Sequence, residues 1–389
     1  MPNELQRRID TTAFTFRGYN VRNLGRTPEL LAHPAYGPTM ERHLQQASQF
    51  CAAEIGSPVD LVRRVAERNE PDLDHYAEAV ALVMAVEFAQ IELLQSHFGT
   101  YYSEAKLAFG YSLGELAAVS CAGVMEAEHA MRVPISMAAD AAALAQNVVM
   151  GVLFSRGPAI DETDVRRLCR QITAEGKGTV GISAILSPNT YLLLGQNETI
   201  ARFTATMHEA LPAPVHIRLN PDRWPPLHTE IARQRHIPDR ASVMMERMPG
   251  GFVPPCPPVV SLVTGKRSYD DLHARDILRQ WVDQPQRLWD AVYETLATGV
   301  TTVIHVGPDP NVIPATFHRI SENVHQQMTG SSLGSYGMRA AAGLARRPWL
   351  SAILPSRAAL LRAPAVQHVV LEDWLLEHGR HLPADQSVD

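Results

Sequence analysis

Only four cysteines, Cys51, Cys121, Cys169 and Cys256, occur in 389 residues. They have neither the paired spacing of a zinc site nor the density of a disulfide framework, so no disulfide and no metal site is expected and a reducing compartment fits. Basic charge is also scarce: 35 Lys and Arg stand against 41 Asp and Glu, for a net charge of −6 and a pI near 6.2. A general nucleic-acid binder needs a basic face for its phosphate contacts, so no nucleic-acid partner is expected. The opening residues, MPNELQRRIDTT, lack the apolar core of a secretory signal, and no later run has the length to span a bilayer. No membrane association is expected, and a cytoplasmic location follows. Internal repeats and low-complexity tracts are absent as well.

What remains is the composition of a globular protein with a substantial core, 46% hydrophobic and 20% charged. The length predicts two subdomains plus appendages. Ala13 to Phe16 reads as a strand that ends in a loop at Gly18. Tyr76 to His97 carries apolar residues at helical spacing and should be a buried helix. From Val148 onward short units alternate: strands at 148–154, 180–185, 191–194 and 215–219, with helices at 162–175 and 198–210. That β-α-β-β-α-β order is the ferredoxin-like split unit. A strand at 259–263, one helix at 278–297 and a strand at 302–306 then resume the larger body. Residues 330–337 are rich in Gly and Ser and read as a loop, and 366–378 as a terminal helix.

Gly110-Tyr111-Ser112-Leu113-Gly114 carries the chemistry. A serine between two glycines, after an apolar run and before a helical one, has the shape of a nucleophile elbow. The glycines leave room for the turn, and the helix start behind Ser112 supplies N–H groups where an oxyanion would form. A serine nucleophile needs a base, and 16 histidines are available. His228 is preferred because the Pro-rich turn before it can aim an imidazole. His216, inside a strand-like stretch, and His236 are rivals.

From about Phe14 to Ile320 the chain resembles the malonyl-CoA:acyl carrier protein transacylases and the acyltransferase domains of polyketide synthases. The resemblance rests on Phe14-Thr15-Phe16-Arg17-Gly18, on Gly110 to Ala118, on Cys121-Ala122-Gly123-Val124, on Ser187-Pro188, on Leu227-His228-Thr229 and on Val306-Gly307-Pro308. It implies an α/β fold with an α/β-hydrolase-like large subdomain (13–146 and 214–320), an inserted ferredoxin-like small subdomain (147–213) and a C-terminal extension (321–389). It implies Ser112 as the acylated nucleophile, His228 as its base, and a backbone carbonyl near Gln280 or Trp281 that orients the histidine. The backbone N–H groups of Tyr19 and Leu113 would form the oxyanion hole. No tightly bound cofactor is implied. The substrate would be a phosphopantetheine-linked acyl thioester, and the partner an acyl carrier protein, with acyl-CoA as an alternative donor.

Three departures from the family pattern matter. Met137 stands where the family has the arginine that pairs with the malonyl carboxylate, a pairing few other residues can replace. Tyr111 precedes the nucleophile and Leu227 precedes the base. With Tyr19, these residues describe a pocket with little charge, suited to a neutral or larger acyl group. The expected activity is therefore a discrete acyltransferase moving a non-malonyl acyl group in polyketide or related secondary metabolism, including antibiotic biosynthesis. An acyl-thioester hydrolase, an O-acyltransferase and an ordinary malonyl transacylase share the same intermediate. An unrelated α/β-hydrolase and a non-catalytic carrier-binding scaffold are the more distant readings. Arg233, Arg235 and Arg240 follow His228 and form a candidate docking face for an acidic carrier.

Overall fold

A computed structural model describes residues 3–156, 158–212, 214–329 and 356–382. The loop expected at 330–337 lies outside them. Two sheets organise the chain. Strands β1 (Thr12–Phe16), β2 (Leu107–Gly110), β7 (Val259–Val260), β8 (Thr302–Val306) and β9 (Gln367–Val370) form a sheet in the order β7-β2-β1-β8-β9, with every pairing parallel. Strands β3 (Val148–Ser155), β4 (Val180–Ser187), β5 (Thr190–Gln196) and β6 (Val215–Asn220) form an antiparallel sheet in the order β4-β5-β3-β6.

A parallel sheet is covered on both faces, so its strands read as unbroken apolar and β-branched runs. All five residues of β1, TAFTF, and all four of β2, LAFG, are buried. The helices used below are α1 (Tyr76–Phe98), α2 (Leu113–Cys121), α3 (Ala127–Ser136), α4 (Ala274–Gln280), α5 (Leu288–Ala297), α6 (Val312–Thr329) and α7 (Leu371–His378). Helix α1 is apolar nearly all round and is buried along most of its length, as expected of a helix enclosed by neighbours. Gly99 ends it at φ 61°, a left-handed cap that glycine adopts without strain. Among the described residues no helix is long and apolar enough to cross a membrane.

The carboxyl ends of β1 and β2 set the position of the site. Because the two strands are parallel neighbours in register, Phe16 beside Gly110, the loops that follow them emerge side by side. The Tyr111 N–H donates to the Phe16 carbonyl at 2.9 Å, which fixes the approach. Open α/β sheets bind ligands at this end.

The structure differs from several expected elements and boundaries. The single helix expected over 278–297 is two helices, α4 and α5, because Pro285 cannot continue a helix. The stretch 366–378 is not helical throughout: residues 367–370 form β9, whose register on β8 runs from Thr302–Gln367 to His305–Val370. Without β9 that edge of β8 would be left unpaired, and pairing it outweighs the helical spacing of the residues that follow. Of the residues described beyond 320, those to 329 continue α6 across 320/321 and those of β9 join the large sheet. At the other boundary, β6 pairs with β3 as far as Asn220, so the antiparallel sheet extends past 213.

Candidate active site

At the elbow the backbone of Ser112 takes φ 53° and ψ −116°, a strained combination for a residue with a side chain. The glycines on either side are there because other backbone crowds them. A Cβ on Gly110 would lie 2.0 Å from the carbonyl carbon of Gly114, and a Cβ on Gly114 would lie 2.3 Å from the Phe16 carbonyl oxygen. Gly18 is also crowded, with a Cβ there falling 2.6 Å from the Tyr111 oxygen. Ser112 occupies the N-cap position of α2 but makes no capping bond, which leaves its hydroxyl for other work.

That hydroxyl meets His228. Ser112 Oγ and His228 Nε2 are 2.7 Å apart. His228 is 4% exposed and has φ 64°. Its Nδ1 lies 2.7 Å from the Trp281 carbonyl oxygen. A carbonyl can only accept, so it fixes the proton on Nδ1 and leaves Nε2 with a lone pair toward Ser112. The Trp281 ring stands edge-on to the imidazole at 86°. Burial pulls the His228 pKa down to about 4, against the opposing effect of the Trp281 carbonyl. The imidazole is therefore neutral at neutral pH and able to accept a proton.

The segment between α4 and α5 also grips the serine. The Trp281 indole N–H donates to the Ser112 carbonyl at 2.9 Å, and the Ser112 N–H donates to Gln286 Oε1 at 2.9 Å. Trp281 is one of the two carbonyl candidates, and the structure selects it over Gln280. Gln286 is absent from the sequence reading: a glutamine in a Pro-Gln-Arg context carries no motif signal.

Ser112 and His228 open onto a cavity of about 300 Å3 whose walls include Tyr19, Tyr111, Met150, Leu192, Trp224 and Leu227. Among the described residues no Asp, Glu, Lys or Arg lines it. Of the three residues expected to set acyl specificity, Tyr111 and Leu227 are on the wall. Met137 is not. It caps the C-terminus of α3, is 2% exposed and packs in the main core, so apolar burial holds it away from the cavity. Arg132 on the same helix turns to Glu54 at 2.9 Å. Arg17, beside the Gly18 loop, is buried and donates to the carbonyls of Gly18, Arg22 and Pro308 and to Asn23 Oδ1. Among the described residues, the N–H groups of Tyr19 and Leu113 have no hydrogen-bond partner.

The other histidines considered are elsewhere. His216 is exposed on β6 beside Phe154, and His236 is exposed beside Asp239. Arg233, Arg235 and Arg240 are all exposed, but Arg233 is paired with Asp283 at 2.7 Å and Arg240 with Asp140. Among the described residues no group of three or more His, Cys, Asp or Glu could hold a metal ion.

No family model matches the chain. It is 25% identical over 341 residues to a malonyl CoA-acyl carrier protein transacylase of Escherichia coli, covering 85% of this chain and 98% of that one. It is 24% identical over 311 residues to a polyketide synthase of Streptomyces halstedii, covering 77% of this chain but 4% of that protein. The chain thus spans only a small part of the polyketide synthases it matches. A type II polyketide synthase malonyl-transacylase, solved in complex with its acyl-carrier protein, superposes with a TM-score of 0.58 at 24% identity, covering 79% of this chain and 92% of that one. With its two sheets and the elbow at the end of β2, the chain has the fold of the malonyl-CoA:acyl carrier protein transacylases and is similar in sequence both to them and to polyketide synthases.

Proposed function

We propose that this protein is an acyltransferase that moves a non-malonyl acyl group between acyl carrier protein or coenzyme A thioesters through an acyl-Ser112 intermediate, in polyketide or related secondary metabolism. The observation that carries the reading is the 2.7 Å contact between Ser112 Oγ and His228 Nε2 in the lining of a cavity with no charged wall residue among the described ones. As Ser112 Oγ attacks the thioester carbonyl, His228 Nε2 takes the hydroxyl proton. The oxyanion is held by the free N–H groups of Leu113 and Tyr19. Collapse expels the thiolate, which takes the proton from the imidazolium and leaves as the thiol. The second carrier's thiol then gives its proton to His228, attacks the acyl-serine and restores the hydroxyl, completing a ping-pong cycle with no cofactor.

The connectivity of β3 to β6 supports reading that sheet and its two helices as a ferredoxin-like small subdomain inserted into an α/β-hydrolase-like large one, with the insertion extended to Asn220. A phosphate-bearing carrier arm would meet cations beside the cavity. A second hollow of about 540 Å3 shares Val152, Leu186 and Asn220 with it and carries Arg218 and Arg319. Arg235, exposed and outside the ion pairs that hold Arg233 and Arg240, is the strongest of the three docking candidates for an acidic carrier.

A second reading, an ordinary malonyl transacylase, is favoured by the similarity to the Escherichia coli enzyme. Intact-protein mass spectrometry after incubation with a panel of acyl thioesters separates the two. The proposed activity gives a neutral acyl adduct that Ser112→Ala abolishes. An adduct that survives in Ser112→Ala removes the serine from its role.

A further inference from the structure

One short segment, residues 281–286, holds both reacting side chains. It accepts the His228 N–H at the Val282 carbonyl, 2.7 Å, and the His228 Nδ1–H at the Trp281 carbonyl, 2.7 Å. It also grips the Ser112 peptide from both sides, through the Trp281 indole at the carbonyl and the Gln286 side chain at the N–H. The last residue of the segment has a further anchor: the Gln286 N–H donates to the Ser183 carbonyl at 2.9 Å, and its carbonyl accepts from the Ile185 N–H at 2.8 Å. Ser183 and Ile185 flank Ala184 on β4, with which Gln286 forms an isolated parallel bridge. Ser183 also lines the acyl cavity.

We propose that Gln286 is a positioning residue for acyl transfer: its side-chain amide locks the strained Ser112 peptide and abuts His228, while its backbone ties that assembly to the antiparallel sheet that walls the cavity. The inference rests on Ser112 and His228 being the nucleophile and base. The side chain is 0% exposed, and a buried amide oxygen needs a donor. Its oxygen has the Ser112 N–H. Its nitrogen lies 3.3 Å from His228 Nδ1, but the Trp281 carbonyl is closer at 2.7 Å and keeps the Nδ1 proton. The amide therefore turns the positive end of its dipole toward the ring, which disfavours imidazolium and keeps the base neutral.

The other groups around the ring do not compete. The Ser112 hydroxyl and the Trp281 carbonyl and indole carry no charge. Burial pushes the Tyr111 phenol far above its ordinary range. Asp283, on the same segment, is paired with Arg233, and Glu230, after the histidine, lies against Gly181 of β4.

Two variants of the full chain test the proposal by single-turnover acylation followed as acyl-Ser112 mass. Gln286→Leu removes the acceptor for Ser112, and the acylation rate should fall about tenfold to a hundredfold, the scale of a misplaced reacting group, with KM for the donor nearly unchanged. Gln286→Glu keeps that acceptor but brings a carboxylate oxygen to Nδ1–H. It should retain most of the rate at its optimum while the acid limb of the pH–rate profile rises by about one pH unit or more. A merely structural role would lower thermal stability and leave that limb in place. Gln286→Leu acylating within about twofold of the wild type, or a Gln286→Glu profile that overlays the wild type, overturns the proposal. If Gln286→Leu does not fold, the Gln286→Glu profile decides. A wild type that forms no adduct at Ser112 defeats the acyl-serine reading itself, whereas normal adducts in both wild type and Gln286→Leu defeat only the role of Gln286.

Discussion

Malonyl and acetoacetyl thioesters are nearly the same size and differ chiefly in carrying a carboxylate or a methyl ketone at the far end. That pair isolates charge as the variable. The cavity beside Ser112 has no cation on its wall among the described residues, and Arg17 and Arg132 are engaged with backbone carbonyls and with Glu54. A carboxylate taken fully out of water without a partner costs several kcal/mol. The cavity retains an open side, so about 2–3 kcal/mol is the reasonable share. At about 1.4 kcal/mol per factor of ten, acetoacetyl should acylate Ser112 with a kcat/KM roughly 30-fold to 150-fold higher than malonyl. The assay is a competition between equimolar coenzyme A thioesters, read at short times as the mass of the Ser112 peptide. Met150→Arg, which puts a guanidinium on the wall from β3, should move the ratio toward malonyl. Equal loading, or a preference for malonyl in the unmodified protein, would refute the argument and leave an ordinary malonyl transacylase.

His228→Ala should slow acylation by roughly two to four orders of magnitude, the usual worth of a positioned base; a near-normal rate would exclude it. The pH–rate profile should stay flat through the ordinary 6.5 of histidine and fall only near pH 4, because burial lowers the His228 pKa to about 4 and the base works when neutral. For stability the sign is the same: the unfolded histidine binds its proton from about pH 6.5 downward and the native one does not, so melting temperature should drop as pH falls from 6.5 toward 4. Gly114→Ala, whose Cβ would press into the Phe16 and Arg17 carbonyls at 2.3 and 2.4 Å, should cost about 1–3 kcal/mol and at least tenfold in acylation; an unchanged melting temperature would mean that the elbow yields more easily than its packing indicates. Arg235→Glu should raise KM for a carrier-bound donor severalfold and leave a small thioester untouched, and equal effects on both would reject a docking face.

The elbow was legible because its requirement is local: Gly110 and Gly114 are dictated by contacts within a few residues and with the neighbouring strand, and the sequence records that crowding as absent side chains. His228 was legible for a similar reason, since Pro225 and Pro226 announce a rigid turn. The Trp281 carbonyl could be expected only to within a residue, because a backbone acceptor leaves no trace in side-chain identity. Gln286 left no trace at all. Its partners Ser112 and Ser183 are distant in sequence, and only the packing of two sheets brings them together. Met137 shows the opposite limit, where position along a helix was readable but the direction of the side chain, into the core, was not. The same applies to β9, whose four residues are too few to display a period of two and are strand only because β8 offers an edge.

The placement of β9 constrains how the protein is made. The large sheet recruits its strands from residues 12 to 370, and α7 then seals the interior, with the Tyr36 hydroxyl bonded to the Leu375 carbonyl at 3.0 Å and Phe98 against Trp374. During synthesis the amino-terminal strands emerge long before their last partner, so β8 waits with one edge bare until more than sixty further residues have left the ribosome. Pairings so distant in sequence form slowly and expose sticky surface in the interval. Chains cut off before β9 would be left with an unfinished sheet prone to self-association.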